Sequence, residues 1–375
     1  MRKTLIASLL ASLLGMLSLT AHAQYIGTVP PNADVKFSYT EDTDKFKFLN
    51  TWIGAAHESG FGARIGYFRY DGRLLNGSTL GAYYPATNVY VPNESTGADS
   101  SVKAQGETFQ LTYVNIGENH NFHGAIGVKN VQHSTDVKVS PKANAQYDED
   151  PAAYVRNQLT SNGGQLSGTN QYVVADAELR LTMTDSLTIG LSAATDVVES
   201  ARSLQTGTTY LYTGGDVDLL LDDNLSLNVA VGNIHFSNNN DRLFLKTKTT
   251  WTFLPEYGLS AFVKTKTQSD SNPGGTNYFS PDSLNSGTLG LQIRKAYDGL
   301  VYTAAIEHGR EWVKTVDGSQ NTNPIYVWSL GVQTYPGKKT GTTFGVTLTG
   351  SNTSISGSGT NYNWYNLNSW MKVPF

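Results

Sequence analysis

Runs of alternating hydrophobicity fill this chain, and the links between them, read backward from Phe375, come long, short, long without a break. The short links are Glu58 to Phe61, Glu118 to Asn121, Thr184 to Ser186, Asp222 to Asn224, Leu254 to Gly258, Tyr297 to Gly299 and Pro336 to Lys339. The longer ones are Asp71 to Gly106, Ser134 to Asn170, Glu199 to Gly207, Ser237 to Asp241, Gln268 to Asn285, Thr315 to Pro324 and Ser351 to Thr360. A β-sandwich or β-solenoid supplies many strands but no reason for strict alternation. An up-and-down barrel crossing a bacterial outer membrane does, because its periplasmic turns are short and its outer loops long. With a tight outer link at Glu41 to Asp44 the pattern predicts sixteen antiparallel strands, an even number that closes without an edge, and places both termini on the periplasmic side.

The two ends of the chain agree with that expectation. In the last run Tyr365, Leu367, Met371, Val373 and Phe375 share one parity and Asn366, Asn368, Trp370 and Lys372 the other, a strand with one apolar and one wet face. Such a terminal strand is the expected contact with the barrel-assembly machinery. At the other end Arg2 and Lys3, an apolar run from Leu5 to Leu19 and Ala21-His22-Ala23 have the layout of a cleavable signal peptide over residues 1–23. Residues 24–33 then read as a short periplasmic leader and 34–375 as the barrel. Beyond the signal no apolar run approaches the roughly 18 residues that a spanning helix needs. With 37 Gly, 21 Tyr and only 15% charged residues, the composition suits half-wet strands. There is no Cys, hence no disulfide, thiolate metal site or lipid-bearing cysteine. Loss of Arg2 and Lys3 leaves 25 basic against 31 acidic residues, which gives no electrostatic case for nucleic acid.

Strand parity sorts the charges. Asp176, Glu178 and Arg180 oppose an apolar set from Val173 to Met183; Asp196 opposes Leu187, Ile189 and Leu191; Asp216 and Asp218 oppose Val217, Leu219 and Leu221. A Lys or Arg at the bilayer midplane costs roughly 2 to 4 kcal/mol, so the charged parity is assigned to the lumen and a wet interior is expected. The next hairpin puts Lys246, Lys248, Lys264 and Lys266 on its inner parity. If its turn centres on Glu256, Lys248 faces Lys264 and Lys246 faces Lys266, like charges that destabilise a ladder unless water or an anion screens them. Arg294 extends this basic wall from the following strand. The expectation is a pore lined by an acidic sector (Asp176, Glu178, Asp196, Asp216, Asp218) and a basic sector about a quarter turn away, with a transverse field between them. The other reading of the same charges is pairing across a plugged barrel.

Aromatic residues gather where strands meet turns, among them Trp52, Trp251, Phe253, Tyr257, Tyr326, Trp328, Tyr335, Trp364, Tyr365 and Phe375. These positions suit a membrane-interface girdle, with Trp251, Phe253, Tyr257, Tyr365 and Phe375 the principal candidates. Trp370 has inner parity and Trp312 lies near a longer link; a girdle position is favoured over sugar contact for both. Catalysis finds little support. His133 beside Ser134 is the sole sequence-local base and nucleophile pair, and strand neighbours point to opposite faces. His120 and His123 read as solvated turn histidines, so neither metal nor cofactor is expected. Asp71 to Gly106 and Ser134 to Asn170 are long enough to fold over a pore or to bind something, and Asn88-Val89-Tyr90-Val91 suggests a strand beyond the membrane.

Four segments carry a resemblance. Phe37-Ser38-Tyr39-Thr40-Glu41-Asp42-Thr43-Asp44, then Trp52-Ile53-Gly54-Ala55, then Ala63-Arg64-Ile65-Gly66-Tyr67-Phe68-Arg69-Tyr70 resemble the first three strands of exopolysaccharide-export barrels. Asn277-Tyr278-Phe279-Ser280-Pro281 is similar to a short tyrosine-phenylalanine-serine-proline element of the same group, which includes the barrels of cellulose and poly-N-acetylglucosamine secretion proteins. The resemblance implies a sixteen-stranded pore through which a polysaccharide or another polar solute passes passively, with outer-membrane lipid around it. Those exporters place a helical repeat array before the barrel where this chain has Gln24 to Ala33, so any periplasmic docking scaffold is expected to be a separate polypeptide. A plugged barrel serving surface recognition, and less so an outer-membrane hydrolase, are the competing expectations.

Overall fold

A computed structural model describes residues 31–42, 46–75, 82–84, 89–91, 99–138, 166–274, 278–334, 341–352 and 363–374. The signal segment, most of the expected leader, Tyr335 and Phe375 lie outside the described residues.

The strands in chain order are β1 (Asn32–Asp42), β2 (Lys47–Ala56), β3 (Phe61–Leu75), β4 (Ala82–Tyr84), β5 (Val89–Val91), β6 (Asp99–Ile116), β7 (His120–Lys138), β8 (Ser167–Thr184), β9 (Leu187–Val197), β10 (Thr209–Asp222), β11 (Leu225–Phe236), β12 (Asn240–Leu254), β13 (Leu259–Asp270), β14 (Ser283–Tyr297), β15 (Leu300–Lys314), β16 (Gln320–Thr334), β17 (Thr343–Ser351) and β18 (Trp364–Pro374). Sixteen of them close one antiparallel barrel in up-and-down order, while β4 and β5 pair separately as a hairpin within the β3 to β6 link. β1 closes the barrel against β18, with Asn32 opposite Pro374 and Asp42 opposite Trp364. Both described ends of the chain therefore sit at the end of the barrel that carries the seven short turns, and eight links lie at the other.

The hairpin at β5 falls on the apolar run that suggested strand beyond the membrane. Other boundaries shift. β1 starts at Asn32, inside the expected leader, and the ladder of β3, β6, β7 and β8 runs several residues into what read as loop, as far as Leu75, Asp99, Lys138 and Ser167. β16 begins at Gln320, so Pro324 lies within a strand, opposite Arg310. The link after β9, read as the longer link Glu199 to Gly207, holds a short helix, α1 (Ala201–Thr206). Ser200 caps it by accepting a hydrogen bond from the Ser203 amide at 3.2 Å, and Gly207, at φ 67°, ends it in the left-handed region.

Period two decides the faces. Ile53, Ile65, Leu111, Ile126, Val173, Leu191, Leu243, Leu289, Ile306 and Leu330 all point outward, each more than half exposed. A continuous apolar belt of that extent is untenable in water and matches hydrocarbon. Sheet closure leaves no unpaired ladder edge inside the bilayer. At the β12 to β13 turn a single 3-10 turn, Pro255–Tyr257, is closed by Gly258 at φ 71°, where a Cβ would strike the Arg294 carbonyl. That turn fixes the register of the hairpin that carries the four lysines.

Candidate functional site

All the charged residues singled out on β8, β9, β10, β12, β13 and β14 have inner parity, and their surroundings divide them into two unlike groups. The acids do not form a bare sector. Asp176 is clamped by Arg64 of β3, Nη2 to Oδ1 2.5 Å, and by His123 of β7, Nδ1 to Oδ2 3.2 Å. Arg180 bonds Glu178 at 3.4 Å, Asp216 at 3.2 Å and also Asp218, whose other oxygen accepts from Asn228 Nδ2 at 2.6 Å. Lys129 of β7 bonds Asp196 at 3.1 Å and Glu199 at 2.6 Å and sits 4.7 Å from the Phe68 ring centroid. Burial pushes the Glu199 carboxyl up against the pull of that ammonium. The expected transverse field between an acidic and a basic wall is thus reduced: Arg64, Lys129 and Arg180 place three cations among these six carboxylates.

The lysine side is different. Lys246 stands opposite Lys266 and Lys248 opposite Lys264, the register that a turn centred on Glu256 demands. Lys264 reaches Glu307 of β15 at 2.6 Å, and Glu307 also accepts from Thr288 at 2.6 Å. Among the described residues no salt bridge joins Lys246, Lys248 or Lys266 to a carboxylate. Aromatic rings seat the Lys246 and Lys248 ammoniums instead. Lys246 lies 4.8 Å from the Phe244 centroid, and Lys248 and Lys264 lie 5.1 and 4.9 Å from that of Phe262. The two rings reach over Gly232 and Gly290, where a Cβ would collide with them. Arg294 keeps inner parity near the short-turn end, its amide bonded to the Gly258 carbonyl at 2.9 Å. Changing Lys246, Lys248, Lys264 and Lys266 together to glutamine is expected to move the reversal potential in a potassium chloride gradient away from anion preference. An unchanged potential removes them from the conducting path.

The interior is not wet from end to end. Near the loop end the inner parity turns apolar, and Phe46, Phe48, Phe68, Tyr70, Val102, Ala104 and Val131 form one buried cluster with Val197 at the end of β9 and Leu204 of α1. Val198, Ile234, Phe236, Phe244 and Tyr278 form a second. Val197 and Val198 are neighbours in the chain but belong to different clusters, so the α1 link ties the two together across the mouth. Gln205 of α1 anchors it further by donating to Thr135 at 2.6 Å. The simple assignment of apolar residues to lipid and polar ones to the lumen inverts here: at these strand ends the apolar parity faces inward, while Arg69, Lys103, Gln105, Glu107, Asn130 and Gln132 are exposed on the outer parity.

The Tyr278-Phe279-Ser280-Pro281 element belongs to the same closure. Tyr278, Ser280 and Pro281 are buried, and the Tyr278 ring stacks on Phe236 at 4.0 Å. Asn240 Nδ2 donates to the Tyr278 hydroxyl and to Ser280 Oγ, both at 3.1 Å, and that hydroxyl donates to Asn238 at 2.8 Å. Burial pushes the Tyr278 hydroxyl up to about 12. Beneath it Arg242 and Asp270, both almost fully buried, form a bidentate pair with two 2.7 Å bonds, and Arg242 also donates to the Phe279 carbonyl.

Trp251, Phe253, Tyr257 and Tyr365 are exposed on the outside, near strand ends. Trp312 is outward too. Three other tryptophans face inward. Trp364 is buried, Trp52 packs beneath the Arg64 guanidinium at 4.9 Å, and Trp370 is opposite Lys36. The girdle expectation is corrected for these three: they carry the parity of the lumen. His133 and Ser134 point to opposite faces, and neither ring nitrogen of His133 has a hydrogen-bond partner among the described residues. His120 bonds Asn115 at 2.7 Å near its turn.

No protein-family model and no curated protein matches the chain. Solved structures do. A structure described as a bacterial polysaccharide outer membrane secretin aligns over 92% of this chain and 99% of its own, with a TM-score of 0.56 at 11% identity. Acinetobacter baumannii OccAB3 aligns over 92% and 99% at 10% identity and TM-score 0.42, and the CymD monoaromatic hydrocarbon channel over 93% and 89% at 10% identity and TM-score 0.42. At such identities the likeness is one of fold. The chain is a sixteen-stranded transmembrane barrel of the outer-membrane type.

Proposed function

We propose that this barrel is an outer-membrane channel through which polar solutes pass passively, and that those solutes are carbohydrates, an exopolysaccharide under export above all. The observation that carries the reading is the exposure of charged side chains on the inner wall: Lys264 at 42%, Asp218 at 45% and Asp176 at 35%. Inside a closed barrel such groups need water, and a hydrated lumen lets a polar solute exchange water for wall contacts without entering hydrocarbon. Asp176, Glu178, Asp196, Asp216 and Asp218, with Arg180 and the four lysines, are the proposed pore lining. The likeness to a polysaccharide secretin barrel and the resemblance of the Tyr278 to Pro281 element support the carbohydrate part. In this reading the short turns and both termini are periplasmic, β18 is the signal for barrel assembly, and a separate periplasmic scaffold delivers the polymer.

The filled loop end favours one further reading, a barrel closed at rest whose loops recognise something at the surface. Solute flux separates the two. Vesicles containing the folded protein should take up small neutral saccharides faster than protein-free vesicles, with uptake falling as the saccharide lengthens. Uptake at the protein-free rate for every saccharide would reject the channel and leave the recognition barrel.

A further inference from the structure

Across β2, β1 and β18 the register aligns Trp52, Lys36 and Trp370 in one row on the inner wall. The row continues to Gly66 on β3 and Gly345 on β17. Both glycines lie under indoles. A Cβ at Gly66 would come within 2.7 Å of the Trp52 ring, and one at Gly345 would collide with the Trp370 indole. Each indole therefore fills the space over a glycine of the neighbouring strand, on the inner parity of the wall. Arg64 occupies part of the lumen face of Trp52, while Trp370 keeps 38% of its surface exposed. The two rings stand two strands apart, roughly 10 Å.

The rows on either side are polar. Two residues toward the loop end Asn50, Ser38 and Asn368 lie side by side, and two residues toward the turn end Asp34 stands opposite Lys372. An exposed indole face in a water-filled passage is costly unless something apolar covers it. A pyranose ring is apolar on the face that presents its axial C–H bonds and polar round its rim of hydroxyls. Flat aromatic platforms bordered by rows of amide, hydroxyl and charged groups match both parts of that ligand.

From this we infer that the β2–β1–β18 panel is a saccharide-binding wall, with Trp370 as its main stacking platform. The inference rests on the proposed carbohydrate channel and deepens it. Stacking over Gly345 by itself would be satisfied by any bulky apolar side chain; ligand binding needs the ring face.

Calorimetric titration of the detergent-solubilised full-length protein with cellohexaose tests this independently of transport. Saturable binding is expected, weakened about tenfold or more in Trp370→Ala and in Trp370→Leu, which still covers Gly345, and largely retained in Trp370→Phe. The heat-modifiable mobility of each variant reports that it folds, and the leucine variant serves if alanine does not. No saturable binding by the wild type, or equal affinity in the wild type and the leucine variant, overturns the panel. Binding that persists while the vesicles show no saccharide flux removes the transport reading and leaves the panel standing.

Discussion

Replacing Arg242 by alanine is expected to loosen the Tyr278 segment from the mouth of the barrel, raise single-channel conductance severalfold and expose the β13 to β14 link to protease. Arg242 is 1% exposed and holds three things at once: both Asp270 oxygens, the Phe279 carbonyl, and the rings of Phe236 and Tyr278 at 5.2 and 5.6 Å. Its loss leaves the Asp270 carboxylate buried without a partner, a defect of about 3 to 5 kcal/mol. Ladder pairs between β12 and β13 run on to Lys248–Lys264 and Thr252–Ser260, so the strain stays at the loop end and the barrel persists. The double variant Arg242→Met with Asp270→Leu is expected to restore most of the stability, because apolar groups of similar volume replace the pair. Alanine at 242 with unchanged conductance and protease resistance would mean that Asn238, Asn240 and the Phe236 stack hold the segment without it.

Leu204→Asp should act on the other half of the closure. Leu204 is fully buried among Phe46, Phe68, Tyr70 and their neighbours, and α1 also bonds β7 through the Gln205 and Thr135 side chains. A carboxylate there cannot remain desolvated in an apolar cluster, so α1 is expected to leave the wall. Truncation to alanine is the milder version, with a cost of about 2 to 5 kcal/mol. Since Val197 and Val198 tie both clusters together, release of α1 should loosen Tyr278 as well, and the Arg242→Ala and Leu204→Asp effects should fall short of additive.

How far these features were legible in the residues depended on whether a short turn fixed the register. The lysine pairs could be placed because Pro255 to Gly258 leaves a single way to close the hairpin. Arg64 and Asp176, separated by 112 positions, could not, because two long links intervene and either could shift the register by two. Lys129 with Glu199 was hidden by the one long link between them, Ser134 to Asn170. α1 escaped because Ala201 to Thr206 is too short to show a helical period. Trp52 and Trp364 were misjudged because aromatics near turns were sorted by position along the strand, and Trp370, though read with inner parity, was still given to the girdle; the glycines facing Trp52 and Trp370 on neighbouring strands were the further signal.

Planar-bilayer recording of the full-length protein beside its Leu204→Asp variant tests most directly whether a water-filled lumen lies behind a closed mouth. Small resolvable steps from the wild type and distinctly larger steps from the variant are predicted. Silence from both, when heat-modifiable mobility shows both to be folded, would contradict the account and mean that the lumen is blocked along its whole length.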